Sequence, residues 1–234
     1  MAKTYHIGTR TSPLALRQVE EILEVLRKFY PDFKAEVIGI DTYGDRDKIT
    51  PISEIEGTDF FTKEIDGALL KGEIDFAVHS AKDLPDSLRE GLVIAAQTKS
   101  IDPYDALISK NGLKLAELLR GVRIGTSSIR RKTQLSRYRD DFDIVDIRGN
   151  IEERLEKLDN GNLDGIIIAV CALVRLGLEN RITQRIPFEI LKPHPLQGAL
   201  AIVTRAEDSK LHSLLSVIDT ERSRTIDTRE VALL

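Results

Sequence analysis

Gly125-Thr126-Ser127-Ser128-Ile129-Arg130-Arg131 is the stretch best equipped for chemistry. It follows a strand-like segment and opens a helix-like one. The free backbone N–H groups of a first helical turn, three hydroxyls (Thr126, Ser127, Ser128) and two guanidinium groups therefore converge on one point, and such a point takes an anion. The helix macrodipole disfavours arginine there by roughly 0.3–1 kcal/mol per charge, so the pair needs compensation. Carboxylates of a ligand supply it; so do ion pairs with acids such as Asp140 and Asp141. Arg10, in Gly8-Thr9-Arg10-Thr11-Ser12-Pro13, also ends a strand ahead of a helix. Arg148, in Arg148-Gly149-Asn150, ends a third strand, with Arg154 about one helical turn further on. A lone arginine is most often a surface salt-bridge residue, but repetition at strand ends points to a polycarboxylate ligand in one cleft.

Val78-His79-Ser80-Ala81-Lys82-Asp83-Leu84-Pro85 closes another strand. A carboxylate held among cations is kept ionised, and can stabilise a positively charged intermediate or accept a hydrogen bond from a departing N–H. Asp83 is the candidate for that role, although an Asp before a proline-ended turn also has a purely structural use.

The elements that must position these residues alternate. Tyr5–Thr9 reads as a strand, and Ser12-Pro13 caps a helix with apolar residues at Leu16, Val19, Ile22, Leu23 and Leu26. Strand 35–40, helix 62–70 and strands 76–78 and 92–96 follow. After the polar break Thr98–Pro103, the pattern resumes with strands 106–109 and 122–125, helix 129–138, strand 144–146, helix 151–158 and the apolar run 165–170. A second break, Lys192-Pro193-His194-Pro195, leads to a last apolar strand, 199–203. This predicts two α/β lobes with mainly parallel sheets, joined by two hinge crossings.

Composition agrees. The chain has 234 residues, 41% hydrophobic and 31% charged, with aromatics at 5% and no tryptophan, so its cores must be aliphatic. A net charge of −4 argues against a general nucleic-acid binder, and any anion site must be a local concentration of Arg and Lys. One cysteine, Cys171, and four histidines leave no disulfide framework and no metal-ligand motif. With no apolar leader and no bilayer-length apolar run, the expectation is a cytoplasmic protein that engages neither membrane nor nucleic acid.

Taken together, IGTRTSPLALRQ (7–18), DFAVHSAKDLP (75–85), IGTSSIRRKTQL (124–135), IRGNIEERLEKLDNG (147–161), DGIIIAVCALVRLGL (164–178) and LQGALAI (196–202) resemble, in order and spacing, the signature segments of the hydroxymethylbilane synthase (porphobilinogen deaminase) family. The resemblance implies two type II periplasmic-binding-protein-like lobes, residues 1–98 with 197–234 and residues 99–196. It implies a transferase that condenses four porphobilinogen molecules head to tail, releasing ammonia, to give hydroxymethylbilane for porphyrin and haem biosynthesis. Asp83 matches the family's catalytic aspartate. Arg10, Ser12, Ser127, Arg130, Arg131, Arg148, Arg154 and Gln197 match residues that bind acidic side chains of substrate or cofactor, with Asp45 and Lys82 nearby. The partners implied are porphobilinogen and linear pyrrole oligomers, acting on a monomer.

The sequence also departs from the family pattern. Family members grow the product on a dipyrromethane cofactor joined by a thioether to a cysteine of a third domain, in a GGC-containing loop. No such loop is found up to Leu234, and Thr58 stands where the family usually has a cofactor-contacting lysine. The expectation is a short form without the third domain. Its dipyrromethane would be held noncovalently or on a substitute anchor, Cys171, unless that cysteine is only a small buried residue. The alternatives are a noncatalytic binding protein for a pyrrole or other polycarboxylate, and one chain of a split enzyme whose missing domain docks on Thr220–Leu234.

Overall fold

The computed structural model describes residues 3–47 and 58–219. Glu56 and Gly57 of the altered loop, and the docking segment Thr220–Leu234, lie outside the described residues.

The first lobe is built on β1 (Thr4–Thr9), β2 (Lys34–Gly39), β3 (Phe76–Ser80) and β4 (Leu92–Gln97), joined by the late strand β10 (Leu200–Arg205) in the order β2-β1-β3-β10-β4. Helix α1 (Pro13–Phe29) starts where the sequence says it must: the Ser12 hydroxyl accepts from the Ala15 N–H at 3.3 Å, and proline occupies the first turn. Its Val19, Ile22, Leu23 and Leu26 are buried against Ile7, Phe76 and Leu200 of the sheet, each contributing about 1.5–3 kcal/mol of transfer free energy. Leu16, at the margin of that stripe, is exposed. Helix α7 (Ser209–Asp219) shares this face, and α3 (Lys63–Leu70) covers the other through Ile65 and Leu69. The short α2 (Tyr43–Arg46) sits between β2 and α3.

The second lobe has β5 (Asp105–Ser109), β6 (Arg123–Gly125), β7 (Asp143–Val145), β8 (Gly165–Ala169) and β9 (Gln184–Ile186), in the order β7-β6-β8-β5-β9. Helices α5 (Ile151–Asp159) and α6 (Val170–Arg175) pack on one face, and α4 (Ile129–Tyr138) on the other. The apolar run read as strand 165–170 ends one residue early, where Val170 opens α6.

The sheets are mixed, not mainly parallel. β10 runs antiparallel to β3 and β4, and β5 antiparallel to β8 and β9. Each is the first strand after the chain crosses from one lobe to the other. A chain that enters a sheet from the cleft side must run away from the cleft, whereas the other strands run towards it and deliver their C-terminal loops there. The two crossings, 98–104 and 187–199, touch: Ser100 Oγ donates to the Gln197 carbonyl at 2.6 Å. Gly198, at φ +91°, lies so near this contact that a Cβ would come within 2.5 Å of Ser100 Oγ and 3.0 Å of the Asp102 carbonyl.

Candidate functional site

Strand C-termini from both lobes open into one cleft of about 510 Å³, and it gathers most of the predicted site residues. From the first lobe come Arg10, Ser12, Asp45, Lys82 and Asp83; from the second, Ser127, Ser128, Arg130, Arg131, Arg148, Arg154 and Cys171; from the return crossing, Gln197. Thr126 is not in the wall. It is buried beneath it, and its hydroxyl oxygen has no hydrogen-bond partner among the described residues.

The arginines fall into two groups. Arg10, Arg130 and Arg131 already have carboxylate partners. Arg10 clasps Asp45 through Nε (3.0 and 3.2 Å to the two oxygens) and Nη2, and lies 4.5 Å over the Phe61 ring. Burial alone would raise the Asp45 carboxyl, but hydrogen bonds and charge from Arg10, with help from Thr42, hold it below the usual range. Arg130 and Arg131 share Asp105, the fully buried first residue of β5: Arg130 Nη2 donates to Oδ2 at 2.7 Å, and Arg131 donates to Oδ1 from Nε at 3.1 Å and Nη2 at 2.6 Å. Burial would raise that carboxyl too, and the two guanidinium groups override it, bringing it down to about 2. The acids proposed from sequence as partners, Asp140 and Asp141, do not pair with them; Asp141 instead takes Arg139 at 2.9 and 2.7 Å.

Arg148 and Arg154 form no ion pair among the described residues. Arg148 Nη2 donates across the cleft to the Asp47 carbonyl at 2.6 Å, while its buried Nη1 has no partner. Among the described residues Arg154 reaches only the Gly149 carbonyl, from Nε at 2.8 Å. Burial, reinforced by the like charges of Arg131, Arg148 and Arg10, lowers its guanidinium to about 10 in spite of Asp83. A desolvated cation with unmet hydrogen-bonding capacity fits an incoming carboxylate. Gly149, at φ +116°, makes room for this turn, since a Cβ there would meet Glu153, whose side chain caps α5 through the Asn150 N–H at 2.8 Å.

Other predicted residues have more local uses. The Ser127 hydroxyl donates to the Ile147 carbonyl and accepts from the Ile147 N–H, both at 2.8 Å, so its bonding is taken up within the fold. The Ser12 hydroxyl caps α1. Ser128 precedes α4 without a side-chain cap, which leaves first-turn N–H groups free in the cleft wall. Lys82 Nζ donates to Gln197 Oε1 at 3.2 Å; burial and Arg131 push its ammonium below the ordinary range against the pull of Asp83. Asp83, in a 3-10 turn after β3, is exposed to the cleft. His79 beneath it is buried, and burial lowers its imidazole to about 4. Cys171 borders the cleft but is only 5% exposed, and burial raises its thiol, which disfavours the thiolate needed for alkylation.

Sequence reasoning missed Asp105, Phe61 and Arg175. Asp105 had a signal, the unmatched charge of two helix-start arginines. Arg175 had little: it ties α6 to α1 of the other lobe through Glu21 at 2.7 Å, and donates to the Gly198 carbonyl at 2.9 Å, contacts that only the tertiary fold creates. Among the described residues no group of His, Cys, Asp and Glu could hold a metal ion, and no helix is long and apolar enough to cross a membrane.

Comparison with known proteins bears on the same cleft. A family model described as "Porphobilinogen deaminase, dipyromethane cofactor binding domain" matches residues 5–213. Porphobilinogen deaminase of Natranaerobius thermophilus is 45% identical over 97% of this chain and 74% of its own length. Those of Xanthomonas axonopodis pv. citri and Pelotomaculum thermopropionicum are each 43% identical, over 98% and 100% of this chain and 76% and 75% of theirs. Among solved structures, the methionine-binding protein MetQ matches with a TM-score of 0.54 at 15% identity, over 98% of this chain and 93% of its own. The VFT2 domain of Bordetella pertussis BvgS matches with 0.53 at 16%, over 98% and 89%. At such identities these two share the fold alone, that of type II periplasmic-binding-protein-like lobes.

Proposed function

The chain belongs to the porphobilinogen deaminase family, and on that premise we propose that the cleft between its lobes, residues 1–98 with 197–234 and 99–196, is where pyrrole units are bound and joined. The activity is that of a transferase: porphobilinogen molecules are condensed head to tail, four per product, with release of ammonia, to give the linear tetrapyrrole hydroxymethylbilane. One observation carries the assignment of the site: Arg148 and Arg154 bring half-buried guanidinium groups, without carboxylate partners among the described residues, into a cleft that also contains Asp83.

Porphobilinogen bears acetate and propionate side chains, which suits an arginine-lined cleft in an acidic protein. In this reading Arg148 and Arg154 take ligand carboxylates directly. Arg10, Arg130 and Arg131 use the N–H groups left over from Asp45 and Asp105, and Ser128 adds first-turn backbone N–H groups. Breaking the C–N bond of the protonated aminomethyl group sends the electron pair out with nitrogen, as ammonia, and leaves an electron-deficient pyrrole, whose methylene carbon is then joined to the free α-carbon of another pyrrole, which gives up its proton. The Asp83 carboxylate stabilises that positive charge and accepts a hydrogen bond from the pyrrole N–H, an effect that grows toward the transition state. Lys82, held by Gln197, lies beside it.

The family's dipyrromethane cofactor also carries carboxylate side chains, and the unmatched guanidinium groups of Arg148 and Arg154 fit such a group. When bound, it supplies the primer to which pyrrole units are added. Arg148, Arg154 and the partnered arginines would hold it. We take the protein to act as a monomer in the cytoplasm, a compartment in which its single buried cysteine stays a thiol. Asp83→Ala tests the proposal: the variant should keep porphobilinogen binding within about threefold and lose at least a hundredfold in ammonia release. Undiminished release would remove Asp83 from the chemistry.

A further inference from the structure

Arg130 and Arg131 are adjacent on α4, so their side chains leave the helix about 100° apart. Nevertheless both end on one carboxylate, that of Asp105, which is fully buried and forms no part of the cleft wall. The same carboxylate takes a third donor, Gln197 Nε2, at 3.0 Å. Gln197 is also fully buried. Its amide nitrogen donates further to the carbonyls of Pro103 (2.7 Å) and Tyr104 (3.1 Å) on the first crossing, and its Oε1 accepts from Lys82 Nζ of the first lobe at 3.2 Å. Asp105 follows directly on the first crossing, and Gln197 belongs to the second.

We propose that Asp105 is a positioning residue for the reaction, fixing Arg130 and Arg131 in the cleft wall for ligand carboxylates and, through Gln197, coupling their orientation to Lys82 across the hinge. This rests on reading the cleft as a carboxylate-binding site. A hub buried between the crossings links two events that otherwise have no common part, seating an acidic side chain on α4 and holding the lobes in register. An alternative role for Asp105 is plain charge compensation, and the two roles predict opposite signs. If Asp105 only offsets positive charge, removing its charge leaves two bare cations that attract carboxylates more strongly. If it positions them, the cations lose their shared direction and bind carboxylates less well.

Asp105→Asn in the full chain, assayed for porphobilinogen binding by calorimetry and for ammonia release, decides between them. Positioning predicts Kd and KM raised about tenfold, with kcat changed less than threefold; a purely structural lesion would scale active protein and lower kcat alone. Gln197→Met keeps Asp105 and both arginines but cuts the link to Lys82, and should raise KM about threefold with kcat retained. It carries the test if Asp105→Asn does not fold. Kd and KM that fall or stay unchanged in a folded Asp105→Asn protein, or an unaltered KM in Gln197→Met, would overturn the inference. A wild-type chain that neither binds porphobilinogen nor releases ammonia from it would overturn the functional reading as well, which keeps the two failures distinct.

Discussion

Replacing Arg154 by methionine should stabilise the ligand-free protein and cripple it as an enzyme. Inside the cleft the guanidinium pairs with no carboxylate among the described residues, and burial with three neighbouring arginines outweighs Asp83 and lowers it to about 10. At about 1.4 kcal/mol per tenfold in proton affinity, that displacement is worth on the order of 3 kcal/mol against the charged form in the folded state. The sign follows from linkage. The folded value is depressed, so at every pH below about 10 the arginine is charged in both states and the penalty is present in full. It fades only as pH rises through that value toward the ordinary arginine range. Methionine nearly conserves volume and removes the charge, at the loss of the 2.8 Å bond to the Gly149 carbonyl, about 1 kcal/mol. The net gain is about 2 kcal/mol, which for a protein of this size is about 4–8 °C in Tm. Thermal unfolding of ligand-free wild type and Arg154→Met at pH 7.5, alongside porphobilinogen turnover, checks both halves. A variant that melts lower than wild type, or that keeps wild-type KM, would refute the claim that Arg154 is held at a cost for a ligand carboxylate.

Three further outcomes are expected. His79 is buried with its imidazole near 4, below the unfolded value of 6.5, so its stabilising contribution is complete above pH 6.5 and is lost as pH falls through about 4; urea midpoints at pH 7 and pH 4.5 should differ less in His79→Gln than in wild type. The Cys171 thiol should react with iodoacetamide at least a hundredfold more slowly in the native protein than in urea, because burial raises it, and rapid native labelling would contradict that placement. Glu21→Gln breaks the ion pair to Arg175 between α1 and α6 and should loosen the lobes, seen as a larger radius of gyration in solution scattering; an unchanged radius would mean the pair does not hold them.

What the sequence disclosed and what it withheld divide along physical lines. The start of helix α1 was legible to the residue because its cap and its proline are local, and its apolar stripe was legible up to Leu26, whereas its end at Phe29 was not read. The span 129–138 also matches α4, although that helix has neither a side-chain cap nor a proline and buries only Arg131 and Leu135. Strand direction was not legible: β5 and β10 carry the same apolar composition as their neighbours, and only the side from which the chain enters each sheet turns them round. The three-residue β9, Gln184–Ile186, carries too little pattern to be seen. At the site, the residues that line the cleft announced themselves by type and by position at strand ends. Their partners did not. Two arginines at a helix start demand an acid, but nearness in sequence favoured Asp140 and Asp141, whereas the fold delivers Asp105 from 25 residues upstream of Arg130. Likewise Ser127 looked like an anion ligand, yet Ile147 satisfies its hydroxyl through a contact made by tertiary packing.

Whether the cleft joins pyrrole units is decided by incubating the purified chain with porphobilinogen and measuring ammonia and bilane together, with Asp83→Ala as the control. One ammonia should be released for each porphobilinogen consumed, with linear tetrapyrrole as product and a loss of at least a hundredfold in the variant. Porphobilinogen bound by the wild-type chain without ammonia or bilane appearing would contradict it, and would make the cleft a carboxylate-binding site without the transferase chemistry.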